Sequence, residues 1–231
     1  MYHRLDEINP SSSSLTVSPQ SFVRQIDCLE KKAFRLLSLD EVIDLKVEIP
    51  LTGRAVALTF DDGYRDNYEN GFALLIQRRK TAALFVVVNW IGTKDFLTWR
   101  EIRELSEAGI TIGSHSLSHR WLPDIGDEGE LKSEIVDSKK RIEDELGKEV
   151  RHFSYPIGGI NQRVAEIVRR AGYSAGWIAG GQPSSSLQIQ EPLLSLRRVK
   201  ISPSDGNLIH FLAKAYGIKS LFWGMKLNKK T

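Results

Sequence analysis

Cysteine is nearly absent from the 231 residues: Cys28 stands alone, which excludes an intrachain disulfide and leaves the redox compartment open. Its place on the apolar side of a helix-like stretch reads as packing. No run approaches the ~18 consecutive apolar residues of a membrane-spanning helix, so no transmembrane segment is expected. An excess of one charge is also lacking. Lys and Arg number 32 against 29 Asp and Glu, and the net +3 does not imply nucleic acid as a partner. No zinc-finger or RNA-binding motif accompanies it. No signal peptide precedes Met1-Tyr2-His3-Arg4, so the sequence as written reads as cytoplasmic unless residues are missing upstream of the first strand. No internal repeat is evident, and nothing in the sequence fixes an oligomeric state.

What is present is an ordinary globular composition, 41% hydrophobic and 26% charged, enough for one α/β barrel with a sizeable core. Apolar strand-like runs occur at 55–60, 82–89, 110–115, 152–156, 174–180 and 196–202, with a stub at 1–4. Amphipathic stretches lie between them. Ser18-Pro19 opens one, and Thr98 with Glu101 forms a capping box for another that Gly109 stops. Leu131, Ile135, Ile142 and Leu146 mark a third ending at Gly147, Asn161 caps a fourth ending at Gly172, and 205–217 reads as a fifth. Such alternation predicts parallel strands joined by right-handed crossovers, and seven strands suit an incomplete or distorted barrel. Ser11 to Ser14 and Gly180 to Ser186 read as loops and the basic end 226–231 as frayed; Phe222, Trp223 and Met225 before it read as packing on the barrel ahead of contact with a membrane or partner.

Two short segments concentrate the chemistry. Thr59-Phe60-Asp61-Asp62-Gly63 and His115-Ser116-Leu117-Ser118-His119 supply two carboxylates and two imidazoles. Three of these four side chains suffice to hold a d-block cation, leaving one carboxylate to take a proton from water; the pattern points to metal-assisted hydrolysis. Each segment alone has a plainer reading, since Asp-Asp-Gly is common turn chemistry and His-x-x-x-His fits a surface helix. Their shared placement favours the site. Asp61 and Asp62 end one strand and His115 ends another, where open sheets and barrels place ligands.

From about residue 55 to about residue 200 the chain resembles the polysaccharide deacetylases of the NodB-homology type (carbohydrate esterase family 4). The two segments match that family's first and second motifs, and Phe153-Ser154-Tyr155-Pro156-Ile157-Gly158 resembles its third. Tyr2-His3-Arg4 and the stretch Phe211 to Gly217 resemble a subgroup. The resemblance implies a distorted (β/α)7 barrel, with an N-terminal barrel segment at 1–54, the homology core at 55–217 and a basic tail at 218–231. It implies a divalent metal, Zn²⁺ in first place, on Asp62, His115 and His119, with Asp61 as general base. It places the backbone N–H of Ile157 as the oxyanion donor, and Tyr155, Pro156 and Trp177 against the substrate. A Trp on an apolar strand, as Trp177 is, is more often core. The family's third motif usually carries an Arg that orients the catalytic Asp; here Ser154 replaces it, and Arg198 either supplies the charge from another strand or is an edge residue. The general acid is left among His210, His3 and His152. The implied activity is removal of N-acetyl groups from an N-acetylated amino sugar in a polysaccharide or oligosaccharide. The alternatives are hydrolysis of small linear or cyclic amides and a non-catalytic carbohydrate-binding role.

Overall fold

Ala83-Leu84-Phe85-Val86 is apolar throughout, and such a strand has to be covered on both faces. In the computed structural model, which describes residues 1–8, 14–48, 54–179 and 192–217, it lies inside a curled parallel sheet. Among the described residues, β1 (Arg4–Leu5) pairs with β2 (Thr16–Val17), and β3 (Arg35–Leu36) pairs with β4 (Ala55–Val56). The main sheet contains β5 (Thr59–Phe60), β6 (Ala83–Val86), β7 (Thr111–Ser114), β8 (His152–Tyr155), β9 (Ala175–Ile178) and β10 (Leu196–Arg197). All six run parallel in sequence order, from β5 at one edge to β10 at the other.

Met1 and Tyr2 join the two edges. Tyr2 N donates to Thr59 O (2.8 Å) and Asp61 N to Tyr2 O (3.0 Å). On the other side Met1 N donates to Val199 O (2.9 Å) and Ile201 N to Met1 O (2.9 Å). The fold is the distorted seven-stranded barrel that the strand count predicts, closed by one very short segment.

Alternation along the strands separates two cores. The outward-facing Phe60, Leu84, Val86, Phe153 and Tyr155 join Phe22, Ile26, Ile102, Ile142 and Val164 of the surrounding helices in the main apolar cluster. A second cluster, of Ala83, Phe85, Ala175, Trp177 and Leu196, includes Leu39 and Ile43 of the helix Leu39–Glu48. Gly113 belongs to this packing, because a Cβ there would lie 2.5 Å from the Phe85 ring.

The helix ends follow the sequence signals. Ser18 and Asn161 cap their helices, Thr98 and Glu101 form the reciprocal capping box, and Gly147 is the left-handed C-cap. Three expectations need correction. The run 55–60 is broken into β4 and β5. The helix around 131–146 contains a π-helical turn, Ser133–Asp137, between α-helical Glu128–Lys132 and Ser138–Leu146. The stretch 205–217 begins as a 3-10 turn and becomes the helix Leu208–Ala215. The expected loops at Ser11 to Ser13 and Gly180 to Ser186 and the tail 218–231 lie outside the described residues. Among the described residues no helix is long and apolar enough to cross a membrane.

His152 opens β8 in this interior and is 1% exposed. Trp177 Nε1 donates to its Nδ1 (3.4 Å), and Asp40 Oδ1 lies 3.3 Å from its Nε2. Burial outweighs the attraction of Asp40 and pushes the imidazole down to about 4. The unfolded chain therefore binds the extra proton first, and the stability this residue confers is complete above ~6.5 and lost as pH falls toward 4. Urea unfolding should show the stability of wild type relative to His152→Leu falling by up to ~3 kcal/mol from pH 7 to pH 4. A constant difference over that range would contradict the burial argument.

Candidate active site at the carboxyl end of the barrel

Four strand ends deliver the motif residues. Asp61 and Asp62 follow β5, His115 follows β7, Pro156 to Gly158 follow β8, and Arg198 follows β10. The loops that receive them are bent into left-handed backbone at Asp62 (φ 75°), Ser116 (68°), His119 (62°) and Ile157 (59°). A non-glycine residue there costs of order 1–3 kcal/mol, and a β-branched one such as Ile157 is a marked outlier. Strain of this kind gathers where a scaffold holds a functional geometry.

Asp62, His115 and His119 come together with one ligand atom each, all within 4.8 Å of one another. Asp62 Oδ1 is 3.4 Å from Nε2 of both imidazoles, yet it is buried with no aligned hydrogen-bond partner. His115 Nδ1 meets Ser154 O at 2.7 Å, which directs the lone pair of Nε2 toward the same point. An orphaned buried carboxylate oxygen facing two imidazoles fits a divalent cation, and the nitrogen–oxygen donor set suits Zn²⁺. Burial opposes the charge of Asp62, but the neighbouring imidazoles hold its carboxyl well below the usual range.

Asp61 has a different partner. It is wholly buried, and Arg198 grips it in two-pronged fashion, Nη1 to Oδ1 at 2.6 Å and Nη2 to Oδ2 at 2.7 Å. The guanidinium also donates to Ser154 Oγ (2.7 Å) and Thr59 Oγ1 (3.2 Å) and lies 5.1 Å above the Phe85 ring. Burial would raise the Asp61 pKa, but the Arg198 charge outweighs it and the carboxyl is held low. Asp61 Oδ2 remains 3.8 Å from His115 Nε2, at the edge of the ligand cluster.

Of the three imidazoles proposed as acid, His3 is the one whose charge is felt by the site's carboxylates, Asp61 and Asp62. Its Nδ1 is buried without a partner, and burial lowers its pKa despite those carboxylates. His152 faces Asp40 and Trp177 instead, and His210 lies on the helix Leu208–Ala215. The expected substrate contacts are placed otherwise. Trp177 is 5% exposed in the inner core, Pro156 is buried, and Tyr155 is fully buried with its hydroxyl on Leu194 O (2.9 Å). All three side chains are covered by their own neighbours. Ile157 is the exposed member of the third motif, at 61%.

Aromatic surface that the sequence reading missed borders the site. Trp90 lies 5.0 Å from His119, Phe96 4.9 Å from Trp90, and Tyr64 4.9 Å from Phe96, all half-buried. Trp121, 40% exposed, rests on Gly159, where a Cβ would come within 2.9 Å of the indole. The available signal was position: each follows a strand carrying a motif or a motif's neighbour.

The comparisons agree with this geometry. The family model for polysaccharide deacetylase matches residues 48–176, and the chain belongs to that family, whose members hydrolyse N-acetyl amides. YxkH of Bacillus subtilis (strain 168) is 29% identical over 204 residues, covering 88% of this chain and 70% of the relative. A peptidoglycan-N-acetylglucosamine deacetylase of Bacillus cereus is 30% identical over 127 residues, 54% of this chain and 57% of the relative. The solved structure of the Streptococcus pyogenes deacetylase PplD in complex with acetate superposes with a TM-score of 0.79 at 26% identity, covering 91% of this chain and 95% of that one.

Removing one member of a buried ion pair leaves the other charge uncompensated, which costs ~3–5 kcal/mol. Arg198→Ala should lower the unfolding free energy of chelator-treated protein by about that amount, and adding Asp61→Asn should restore part of it. Independent, additive losses in urea titrations would mean that the pair is not coupled.

Proposed function

We propose that the protein is a metal-dependent N-deacetylase acting on an N-acetylated amino sugar within a polysaccharide or oligosaccharide. The observation that carries this reading is the unequal environment of two adjacent carboxylates. Asp62 faces two imidazoles with an unpartnered oxygen, whereas Asp61 is held ionised by Arg198 at the edge of that cluster. Asp62, His115 and His119 would hold a divalent cation, which when bound would supply Lewis acidity and bring the pKa of water toward ~7. Asp61 then takes the proton of the attacking water, and Arg198 keeps it charged and aimed. The Ile157 N–H faces the oxyanion, a contact whose loss typically costs ~3 kcal/mol of transition-state stabilisation. His3, in its protonated form, delivers a proton to the leaving nitrogen as the C–N bond breaks, and the proton taken by Asp61 leaves to solvent, which restores both groups. The acetate bound to PplD and the substrate named for the Bacillus cereus relative support an acetylated amino sugar. The aromatic surface of Trp90, Phe96 and Tyr64 offers flat apolar faces for its ring.

Acetate release from N-acetylglucosamine oligomers and peptidoglycan fragments, abolished by a chelator and restored by Zn²⁺ or Co²⁺, tests the reading; turnover indifferent to chelation contradicts it. The two aspartates should separate. Asp62→Ala should lose bound metal, while Asp61→Asn should retain it and lose ~10²–10⁴-fold in turnover. Equal metal loss in both variants would refute the division of roles. His3→Gln should slow amide hydrolysis far more than hydrolysis of an activated acetate ester, whose leaving group needs no proton. Equal slowing would remove His3 as the acid.

A further inference from the structure

The two histidines of the site are supported in different ways. His115 ends a central strand, its side chain is 2% exposed, and Ser154 O fixes its ring. His119 is 21% exposed at the side chain, stands in left-handed backbone, and ends a loop that no described strand continues. That loop is clamped by Glu134, a carboxylate 6% exposed. Leu117 N and Ser118 N donate to its Oε2 at 3.0 and 2.9 Å, and the Ser118 hydroxyl donates to its Oε1. The Glu134 main-chain oxygen also accepts from Leu117 N (3.2 Å), so side chain and backbone face the same loop. Among the described residues no cation pairs with Glu134; main-chain and hydroxyl dipoles alone balance its buried charge. Glu134 lies in the π-helical turn Ser133–Asp137, a local irregularity frequent at functional sites. From the opposite side, Val88 N and Asn89 N donate to Ser116 O and Leu117 O at 3.2 and 2.9 Å, and Trp90 then lies against the His119 ring.

We infer that Glu134 is a positioning residue for metal binding: by fixing the loop Ser116 to Ser118 it aims the His119 imidazole at the point where Asp62 and His115 converge. The inference rests on the metal site of the proposed function. A carboxylate accepting three donors makes charge-assisted bonds that hold a strained loop more firmly than neutral ones would. Groups that orient a ligand in this way typically change metal affinity by ~10–100-fold when removed. His115 needs no such clamp, so the effect passes through His119 alone.

Calorimetric titration of Co²⁺ into chelator-stripped protein tests this, with unfolding of each variant measured alongside. Glu134→Ala should weaken Co²⁺ binding ~10–100-fold, and Glu134→Gln, which keeps one acceptor oxygen, should recover part of the loss. In a His119→Ala background the same Glu134→Ala change should alter the remaining affinity by less than about twofold, because the ligand it serves is gone. Undiminished Co²⁺ affinity in Glu134→Ala, or an undiminished further loss in the His119→Ala background, overturns the inference. If Glu134→Ala fails to fold, Glu134→Gln carries the same cycle. A wild-type protein that binds no Co²⁺ would refute the proposed metal site itself, a result distinct from either of these.

Discussion

A carboxylate without solvent stays charged only where donors or a cation compensate it, and for Asp61 that compensation is the guanidinium of Arg198. Much of the surrounding structure serves the guanidinium as well as the carboxylate. Ser154 and Thr59 take its remaining donors, and the Phe85 ring supports its face. Phe85 in turn occupies the space that Gly113 leaves open. Because Arg198 follows the last strand of the sheet and Asp61 the first, the ion pair spans the same gap that Met1 and Tyr2 bridge through the backbone. Closure of the barrel and ionisation of Asp61 are thus one structural problem with a joint solution.

The commitment of Asp61 to Arg198 also explains how neighbouring residues of the same type acquire different chemistry. Asp62 turns away through left-handed backbone and presents an unpartnered oxygen to two imidazoles. The local strain at Asp62, Ser116, His119 and Ile157 is affordable because the strands beneath are packed on both faces by two apolar clusters. Loop geometry is therefore set by the scaffold, and the loops contribute position rather than stability.

The barrel was legible because its signals are local: apolar runs of strand length, caps at Ser18, Thr98 and Asn161, and a stop at Gly147. The ligand cluster was legible because two motifs follow strands of one repeating pattern, β5 and β7. Even Arg198 could be suspected, since Ser154 leaves a charge unaccounted for, and the structure puts its guanidinium on Asp61. What sequence could not convey depends on long-range cover. Tyr155 and Pro156 of the third motif and Trp177 of a later strand are enclosed, Trp177 by Leu39 and Ile43 and Tyr155 beneath Leu194. Glu134 looks like any acidic residue of an amphipathic helix until its carboxylate is found on the His119 loop. Barrel closure joins Met1 to Val199, far apart in the chain, through main-chain groups that carry no sequence signal.

The division between Asp61 and Asp62 is the claim on which the functional account stands, and anomalous diffraction from crystals of the Co²⁺-loaded protein measures it directly. The account predicts one ion bound by Asp62, His115 and His119, with Asp61 outside the coordination sphere and still paired with Arg198. An ion that recruits Asp61 as a ligand and separates it from Arg198, or one bound away from this cluster, would contradict it.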